Sequence, residues 1–99
     1  MLHIVNKSPG AAPSLASCLR VAQHGHAVIL IEDGVYAATP AGAALCGLAE
    51  AAKRVKVYVL EPDLEARGMA GRRIEGATPV DYAGFVDLVA EHPRHQSWL

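Results

Sequence analysis

The sequence lacks an excess of either charge and any long hydrophobic run. Nine Lys and Arg residues oppose ten Asp and Glu residues, for a formal net charge of −1. The chain therefore has no basic stripe of the kind that neutralises nucleic-acid phosphates. Its longest uninterrupted apolar run, residues 27–31, is far too short to span a bilayer. We expect neither direct contact with nucleic acid nor a membrane span.

Cysteine is also scarce, and its spacing excludes two common uses. Cys18 and Cys46 lie far apart without a CxxC pattern, so neither a thioredoxin-type pair nor a cysteine-based zinc site is indicated. The start MLHIVNKSPG has neither the charged nor the apolar region of a signal peptide. We expect a cytoplasmic protein whose two cysteines are free thiols.

Aromatic residues make up only 5 % of the chain, although 52 % of the residues are hydrophobic, most of them Ala and Val. A chain of 99 residues can build only a modest core, and no repeat, linker or low-complexity segment divides residues 1–99 into more than one domain. The excess of apolar residues suggests surface that is shared with partner subunits.

Strand patterns alternate with helix patterns along the chain. Apolar or β-branched runs predict strands at residues 2–6, 27–31, 55–60 and 78–80. Helical spacing predicts helices from Ser14 to before Gly25, over 41–54, over 62–68, and from Asp81 to before Pro93. This alternation predicts an α/β fold, a small three-layer domain with a mainly parallel sheet and helices on both faces.

The helical spacing also predicts which side chains are buried. Leu45 belongs to the apolar face of the second helix, and Tyr82 and Phe85 are core residues of the last one. Cys46 lies off the apolar stripe of its helix and is interpreted as structural.

Ligands of parallel sheets gather beyond the carboxyl ends of the strands, where this sequence has the loops KSPG, EDGVY and EPDLEARG. Asp33 either caps a turn there or faces an incoming group. Arg67 either binds a carboxylate or complements the end of a helix. His24 and His26 form an HxH pair without a third ligand nearby, so we predict no metal site. Trp98 is expected to dock in a groove of its own subunit or of a partner.

Cys18 is the residue whose role the pattern leaves open. It lies on the flank of a helical stripe formed by Leu15, Leu19 and Ala22, which predicts partial exposure at a subunit seam. A free cysteine in such a position either packs as a small hydrophobe or reacts as a thiol.

Several stretches, in this order and spacing, resemble the DsrH/TusB family of small sulfur-relay subunits: MLHIVNKSP, SLASCLR, IEDGVYAA, VKVYVLEPDLEARG, VDYAGFVDLV and QSWL. The resemblance covers nearly the whole chain. It implies a DsrE/F/H-like fold and assembly with two homologous subunits, a DsrE/TusD-like one and a DsrF/TusC-like one, into a heterohexamer. It also implies that sulfur passes as a cysteine persulfide to a DsrC/TusE-like acceptor protein, for 2-thiolation of the tRNA wobble uridine or for sulfur oxidation.

In such complexes the main sulfur-carrying cysteine belongs to the DsrE/TusD subunit. Cys18 matches the cysteine of DsrH-type members in SLxSCL, whereas TusB-type members can lack it, and this match favours sulfur oxidation. The resemblance makes Cys18 either an auxiliary sulfur-handling thiol, the candidate catalytic residue, or an interface residue. Asp33, Tyr36, Arg67 and Trp98 are the other interface candidates. Thiol exchange needs neither a metal nor an organic cofactor. The rival hypotheses are a purely structural subunit and an independent redox sensor.

Overall fold

A computed structural model describes residues 1–98. Its strands are β1 Leu2–Val5, β2 Ala27–Leu30, β3 Lys56–Leu60, β4 Ala77–Val80 and β5 His95–Trp98. Its α-helices are α1 Ser14–Val21, α2 Pro40–Cys46, α3 Leu48–Ala51, α4 Glu61–Ala66 and α5 Tyr82–Glu91. Two 3-10 segments, Glu32–Ala38 and Ala70–Arg72, complete the fold. None of the helices within residues 1–98 is long and apolar enough to cross a bilayer.

The five strands form one sheet in the order β4-β3-β2-β1-β5, and all four strand pairs are parallel. The central strand β2 is buried along its whole length, as expected for an apolar run without alternation. Because parallel neighbours need crossover connections, the intervening helices cover the sheet. The predicted α/β architecture is confirmed.

The two faces of the sheet are covered unequally. Side chains of α1 to α4 and of the first 3-10 segment share one hydrophobic cluster with alternate residues of the strands, such as Val28 and Leu30. On the other face, within residues 1–98, α5 alone supplies the cover, and Leu88 packs there with Ile29. The larger core therefore lies on the first face.

The Ala-rich segment 41–54 is not the single helix that its spacing predicts. Gly47 ends α2 with a φ of +72°, in the left-handed region that glycine adopts without strain, and α3 begins directly after it. As a separate helix, α2 buries Gly42 and Ala43, and Leu45 on its outward side is 70 % exposed. The prediction that Leu45 lies on a buried face is wrong for this reason.

Helix α5 begins where predicted but buries a different face. Asp81 caps its N-terminus by accepting a hydrogen bond from the Gly84 N–H at 2.7 Å. The buried side carries Leu88, with Phe85 partly buried beside it. Tyr82 lies on the outward side and is 60 % exposed, so its assignment to the core is wrong.

Strand β5 was not predicted, because its sequence HQSW has no apolar alternation. Its backbone pairs in parallel with β1, and the register places Trp98 beside Val5. The edge of the sheet thus depends on main-chain pairing and on one aromatic side chain rather than on a hydrophobic pattern.

Candidate functional site

The Cys18 side chain is fully buried, with 0 % of its surface exposed. It is the fifth residue of α1, which begins at Ser14 after Pro13, and the neighbouring Leu15 and Leu19 are buried with it. The helix therefore rests on the sheet with Cys18 in the middle of its contact rather than on its flank. The predicted partial exposure of Cys18 is wrong.

The surroundings of Cys18 oppose its ionisation. Burial raises the pKa of its thiol from 9.0 to about 12, although the charge of Arg54 acts in the opposite direction. Ionising such a thiol costs about 4 kcal/mol more than ionising one with the ordinary value. Because the thiolate is the nucleophile in sulfur exchange, this environment opposes attack by Cys18 while α1 stays in place.

Arg54 is held against the end of α1 by two backbone carbonyls. Its guanidinium donates hydrogen bonds to the carbonyl oxygens of Leu19 and Ala22. The last carbonyls of a helix have no partners within the helix, so the cation stabilises this end. Arg54 thus fastens the helix that covers Cys18.

Cys46, which the sequence pattern made structural, is the more accessible thiol. It is half-buried at the end of α2, and its sulfur donates to the Gly42 carbonyl at 3.4 Å. Burial raises the pKa of this thiol too. It lines a cleft of about 420 Å³ together with Arg20 and Arg54.

Asp33 and Arg67, both singled out from the sequence, are brought together at the carboxyl edge of the sheet. The Arg67 Nε atom lies 2.9 Å from Oδ1 of Asp33, and its Nη1 donates to the Asp63 carbonyl at 3.1 Å. The hydrogen bond to Asp33 raises the pKa of Arg67. Arg67 therefore both binds a carboxylate and complements helix α4. An exposed ion pair of this kind adds at most about 1 kcal/mol to the stability of the fold, so its main effect is to hold the two side chains in place at this surface.

The first residue of the 3-10 segment at this surface has a strained backbone conformation. Glu32 has a φ of +49°, a left-handed conformation that costs a non-glycine residue roughly 1–3 kcal/mol. Its N–H donates to Oδ2 of Asp63 at 2.7 Å, which holds the conformation. Asp63 thus anchors the 3-10 segment and α4 to each other, a role that no local pattern indicates.

Tyr36 lies at the junction of two hollows of about 570 and 300 Å³, and both are also lined by Thr39 and Ala41. We call this surface the Tyr36 groove. Its other walls include Pro9, Pro40, Leu45, Met69 and Arg72. Tyr36 lies in the same 3-10 segment as Asp33, three residues further along, so the groove adjoins the Asp33–Arg67 pair. Three of the four predicted interface residues therefore share one surface.

Asn6 contributes an unpartnered acceptor at the end of β1. Its Oδ1 atom is buried, and within residues 1–98 it has no hydrogen-bond partner. Leaving such an atom unpaired costs about 1–3 kcal/mol. Sequence reasoning missed Asn6, because only the fold shows that its oxygen is covered.

Trp98 and His26 lie elsewhere. The Trp98 indole N–H donates to Nδ1 of His3 at 3.1 Å, so Trp98 docks on its own subunit. His26 contacts His3, whereas His24 is exposed. Across residues 1–98, no three His, Cys, Asp or Glu side chains are grouped so that they could hold a metal ion.

Comparison with known proteins identifies the family. Residues 7–95 match the family model described as "DsrH like protein". The chain belongs to the DsrH family. Two similar proteins are both called "Protein TusB": one from Pectobacterium parmentieri is 41 % identical and one from Escherichia coli O1:K1 is 38 % identical. Both alignments cover 99 % of this chain and 100 % of the relative.

Solved structures support the fold of this DsrH family member. Protein Tm0979 from Thermotoga maritima matches with a TM-score of 0.67 at 22 % identity, over 95 % of this chain and 97 % of the other. Protein MTH1491 from Methanobacterium thermoautotrophicum matches with a TM-score of 0.71 at 17 % identity, over 97 % and 95 %. The resemblance seen in the sequence is confirmed, and family membership supports its sulfur-relay theme.

Proposed function

We propose that this chain is a structural subunit of a cytoplasmic sulfur-relay heterohexamer. In this proposal it assembles with a DsrE/TusD-like and a DsrF/TusC-like subunit, and the complex passes persulfide sulfur to a DsrC/TusE-like acceptor protein. The acceptor's thiolate attacks the outer sulfur of the donor persulfide, the donor's S–S bond breaks, and the donor leaves as a thiolate. No external oxidant, metal or organic cofactor enters this exchange.

The burial of Cys18 is the observation that favours a structural role. A carrier thiol must reach a donor and then an acceptor, and it must ionise. Cys18 has no exposed surface, and burial raises its pKa to about 12. The sulfur is therefore carried on a partner subunit in this proposal, while Cys18 packs under α1.

The Tyr36 groove is the surface that suits contact with the acceptor protein. It lies at the carboxyl edge of a parallel sheet, where such folds bind their ligands. Its aromatic ring, its apolar walls and the adjoining Asp33–Arg67 pair give it the mixture of contacts found in protein interfaces.

The outward side of α5 suits contact with a homologous subunit. Tyr82 and Val86 are exposed there, and Phe85, Val86, Val89 and Ala90 line an apolar hollow of about 300 Å³. In the described part of the chain one helix covers this face of the sheet, so a partner subunit would extend the helical layer there.

The tRNA-thiolation branch is the better supported pathway. The match of Cys18 to DsrH-type members favours sulfur oxidation, but the similar proteins that cover the full chain are called TusB. The formal net charge of −1 supports delivery to a protein acceptor rather than direct binding of tRNA by this chain.

The test of Cys18 is intact mass spectrometry of this chain co-expressed with both partner subunits and incubated with a persulfide donor. Cys18→Ala and the matched variant Cys46→Ala are compared with the wild type. Alanine is chosen because it keeps an apolar side chain at a fully buried position. We expect the sulfur adduct on a partner subunit in all three complexes.

A sulfur adduct on this chain that disappears only in Cys18→Ala would overturn the structural role and make Cys18 an auxiliary carrier. Loss of the adduct only in Cys46→Ala would assign the carrier role to the more accessible thiol. A chain that purifies as a stable monomer, without either partner, would contradict the heterohexamer itself.

The roles of the Tyr36 groove and of the outward side of α5 are tested separately by Tyr36→Ser and Tyr82→Ser. Each variant removes one aromatic ring from one of these surfaces. Tyr36→Ser should slow sulfur transfer to the acceptor while the complex stays assembled. Tyr82→Ser should weaken assembly, measured by native mass spectrometry. Unchanged transfer in Tyr36→Ser would remove the groove as the acceptor's contact.

A further inference from the structure

His3, His26 and Trp98 form a hydrogen-bonded chain of rings at the edge of the sheet. The Trp98 indole N–H donates to Nδ1 of His3, and Nε2 of His3 lies 3.0 Å from Nδ1 of His26. The backbone N–H of Gln23 donates to that same His26 nitrogen at 3.2 Å. These contacts join β5, β1 and the residue before β2.

The donors fix where the protons lie. An indole nitrogen only donates, so Nδ1 of His3 must be unprotonated and its proton must be on Nε2. That proton points at Nδ1 of His26, which must also be unprotonated because it accepts from Gln23 as well. Both imidazoles are therefore neutral, and each carries its proton on Nε2.

A second proton on either ring would break this chain. Protonated His3 would place an N–H against the Trp98 N–H, and protonated His26 would place one against the donors of His3 and Gln23. The positive N-terminal amine adds repulsion at both rings. The pocket of about 410 Å³ around them is lined, within residues 1–98, by no carboxylate that could stabilise the added charge.

Strand β5 has little else to hold it. It pairs only with β1, and His95, Gln96 and Ser97 are exposed. Trp98 is its one side chain packed against the core, and the bond from its indole goes to His3, which is 2 % exposed. Besides the main-chain pairing with β1, Trp98 is thus the side-chain anchor of this edge strand, and losing its contact should weaken that pairing.

We propose that His3, His26 and Trp98 form a proton-sensitive latch, which keeps β5 on the sheet only while both imidazoles are neutral. Burial lowers the pKa of both His3 and His26 from 6.5, and the charges of His26 and the N-terminus lower that of His3 further. The unfolded or released chain thus binds more protons than the latched one. Stability from the latch is complete above about pH 6.5 and is lost as the pH falls through the lower folded-state values.

Hydrogen exchange of the full chain, followed by mass spectrometry, tests the latch. After correction for the intrinsic pH dependence of exchange, protection of residues 95–98 should fall between about pH 7.5 and pH 5.5, by up to about tenfold for each histidine that is kept neutral. Protection of the central strand β2 should change far less. Equal protection of β5 at both pH values would overturn the proposal.

Matched variants identify which histidine causes the pH dependence of β5 exchange. His3→Phe keeps a ring of similar size but does not titrate, so the pH-dependent step in β5 exchange should disappear. His95→Gln removes an exposed histidine from the same strand and should leave the step unchanged. A step that persists in His3→Phe, or that vanishes in His95→Gln, would refute the latch.

The wild-type protein provides a readout that needs no variant. Nitrogen chemical shifts of the imidazoles at neutral pH should show His3 and His26 protonated on Nε2 and unprotonated on Nδ1. The opposite tautomer at either ring would contradict the direction of the hydrogen bonds and therefore the mechanism of the latch.

Discussion

Gly42 is the residue at which the structure most sharply predicts the effect of a small change. It lies in α2, packed against the 3-10 segment that carries Tyr36. A Cβ at this position would lie 2.0 Å from the Tyr36 carbonyl oxygen and 2.9 Å from the Ala37 Cα. Both of these atoms belong to the backbone, so no flexible side chain can move aside, and α2 or the 3-10 segment must shift.

The expected cost of Gly42→Ala follows from two opposing effects. Overpacking that displaces backbone costs about 3 kcal/mol. Alanine in place of glycine inside a helix contributes about 1 kcal/mol in the other direction. The net loss of about 2 kcal/mol corresponds to a fall in Tm of roughly 8–16 °C for a domain of this size.

Thermal unfolding followed by circular dichroism measures this effect, with Gly71→Ala as the matched control. A Cβ at Gly71 meets nothing within 4 Å, so this variant should keep the wild-type Tm within about 3 °C. If Gly42→Ala also kept the wild-type Tm, the close approach of α2 to the Tyr36 carbonyl would be refuted. Because the displaced backbone carries Tyr36, the variant should also reduce transfer to the acceptor protein.

Two further variants test contacts on either side of the sheet, each by its Tm. Arg54→Met removes the hydrogen bonds to the Leu19 and Ala22 carbonyls while keeping an unbranched side chain. It should lower the free energy of unfolding by about 1–3 kcal/mol. A Tm equal to that of the wild type would show that these bonds do not stabilise the fold. Asp81→Ala removes the acceptor for the Gly84 N–H and should cost about 1 kcal/mol, whereas Asp81→Asn should retain most of the stability, since asparagine also caps helices. Equal losses in the alanine and asparagine variants would contradict the capping role.

The strands with strong apolar patterns could be predicted from the sequence, because a strand that is buried on both faces needs apolar side chains along its whole length. Residues 27–31 have no alternation, and β2 is buried on both faces. The end of α4 could also be predicted, because glycine is common just after a helix and Gly68 has a φ of +68° there. In these places local chemistry and tertiary structure agree.

The parts that could not be predicted depend on contacts between distant residues. Strand β5 has a polar sequence and is defined by pairing with β1. The conformation of Glu32 depends on a carboxylate that lies 31 positions further along the chain, on Asp63. The exposure of Tyr82 depends on which side of α5 meets the sheet, and helical spacing alone allows a neighbouring face.

The candidate site likewise has residues whose position could be predicted from the sequence and one whose position could not. Asp33 and Arg67 lie in loops that follow parallel strands, and Tyr36 lies in the same loop as Asp33, so this topological rule brings all three to one surface. Cys18 was interpreted from its position on a helical stripe, which does not report how deeply the helix is set into the core. The exposure of a flanking residue is decided by packing, and here Leu15 and Leu19 carry Cys18 under the helix with them.

A carrier role for Cys18 would therefore require α1 to open, and the hydrogen bonds of Arg54 oppose that opening. Lifting the end of α1 breaks the bonds from Arg54 to the Leu19 and Ala22 carbonyls and exposes the apolar side of the helix. If Cys18 carries sulfur in an opened state, Arg54→Met should increase its loading by a persulfide donor in the assembled complex, because the opened state becomes more populated. If Cys18 only packs, the same variant should lower the Tm without adding sulfur to this chain. Increased loading that disappears in the Arg54→Met, Cys18→Ala double variant would favour the carrier role over the structural one.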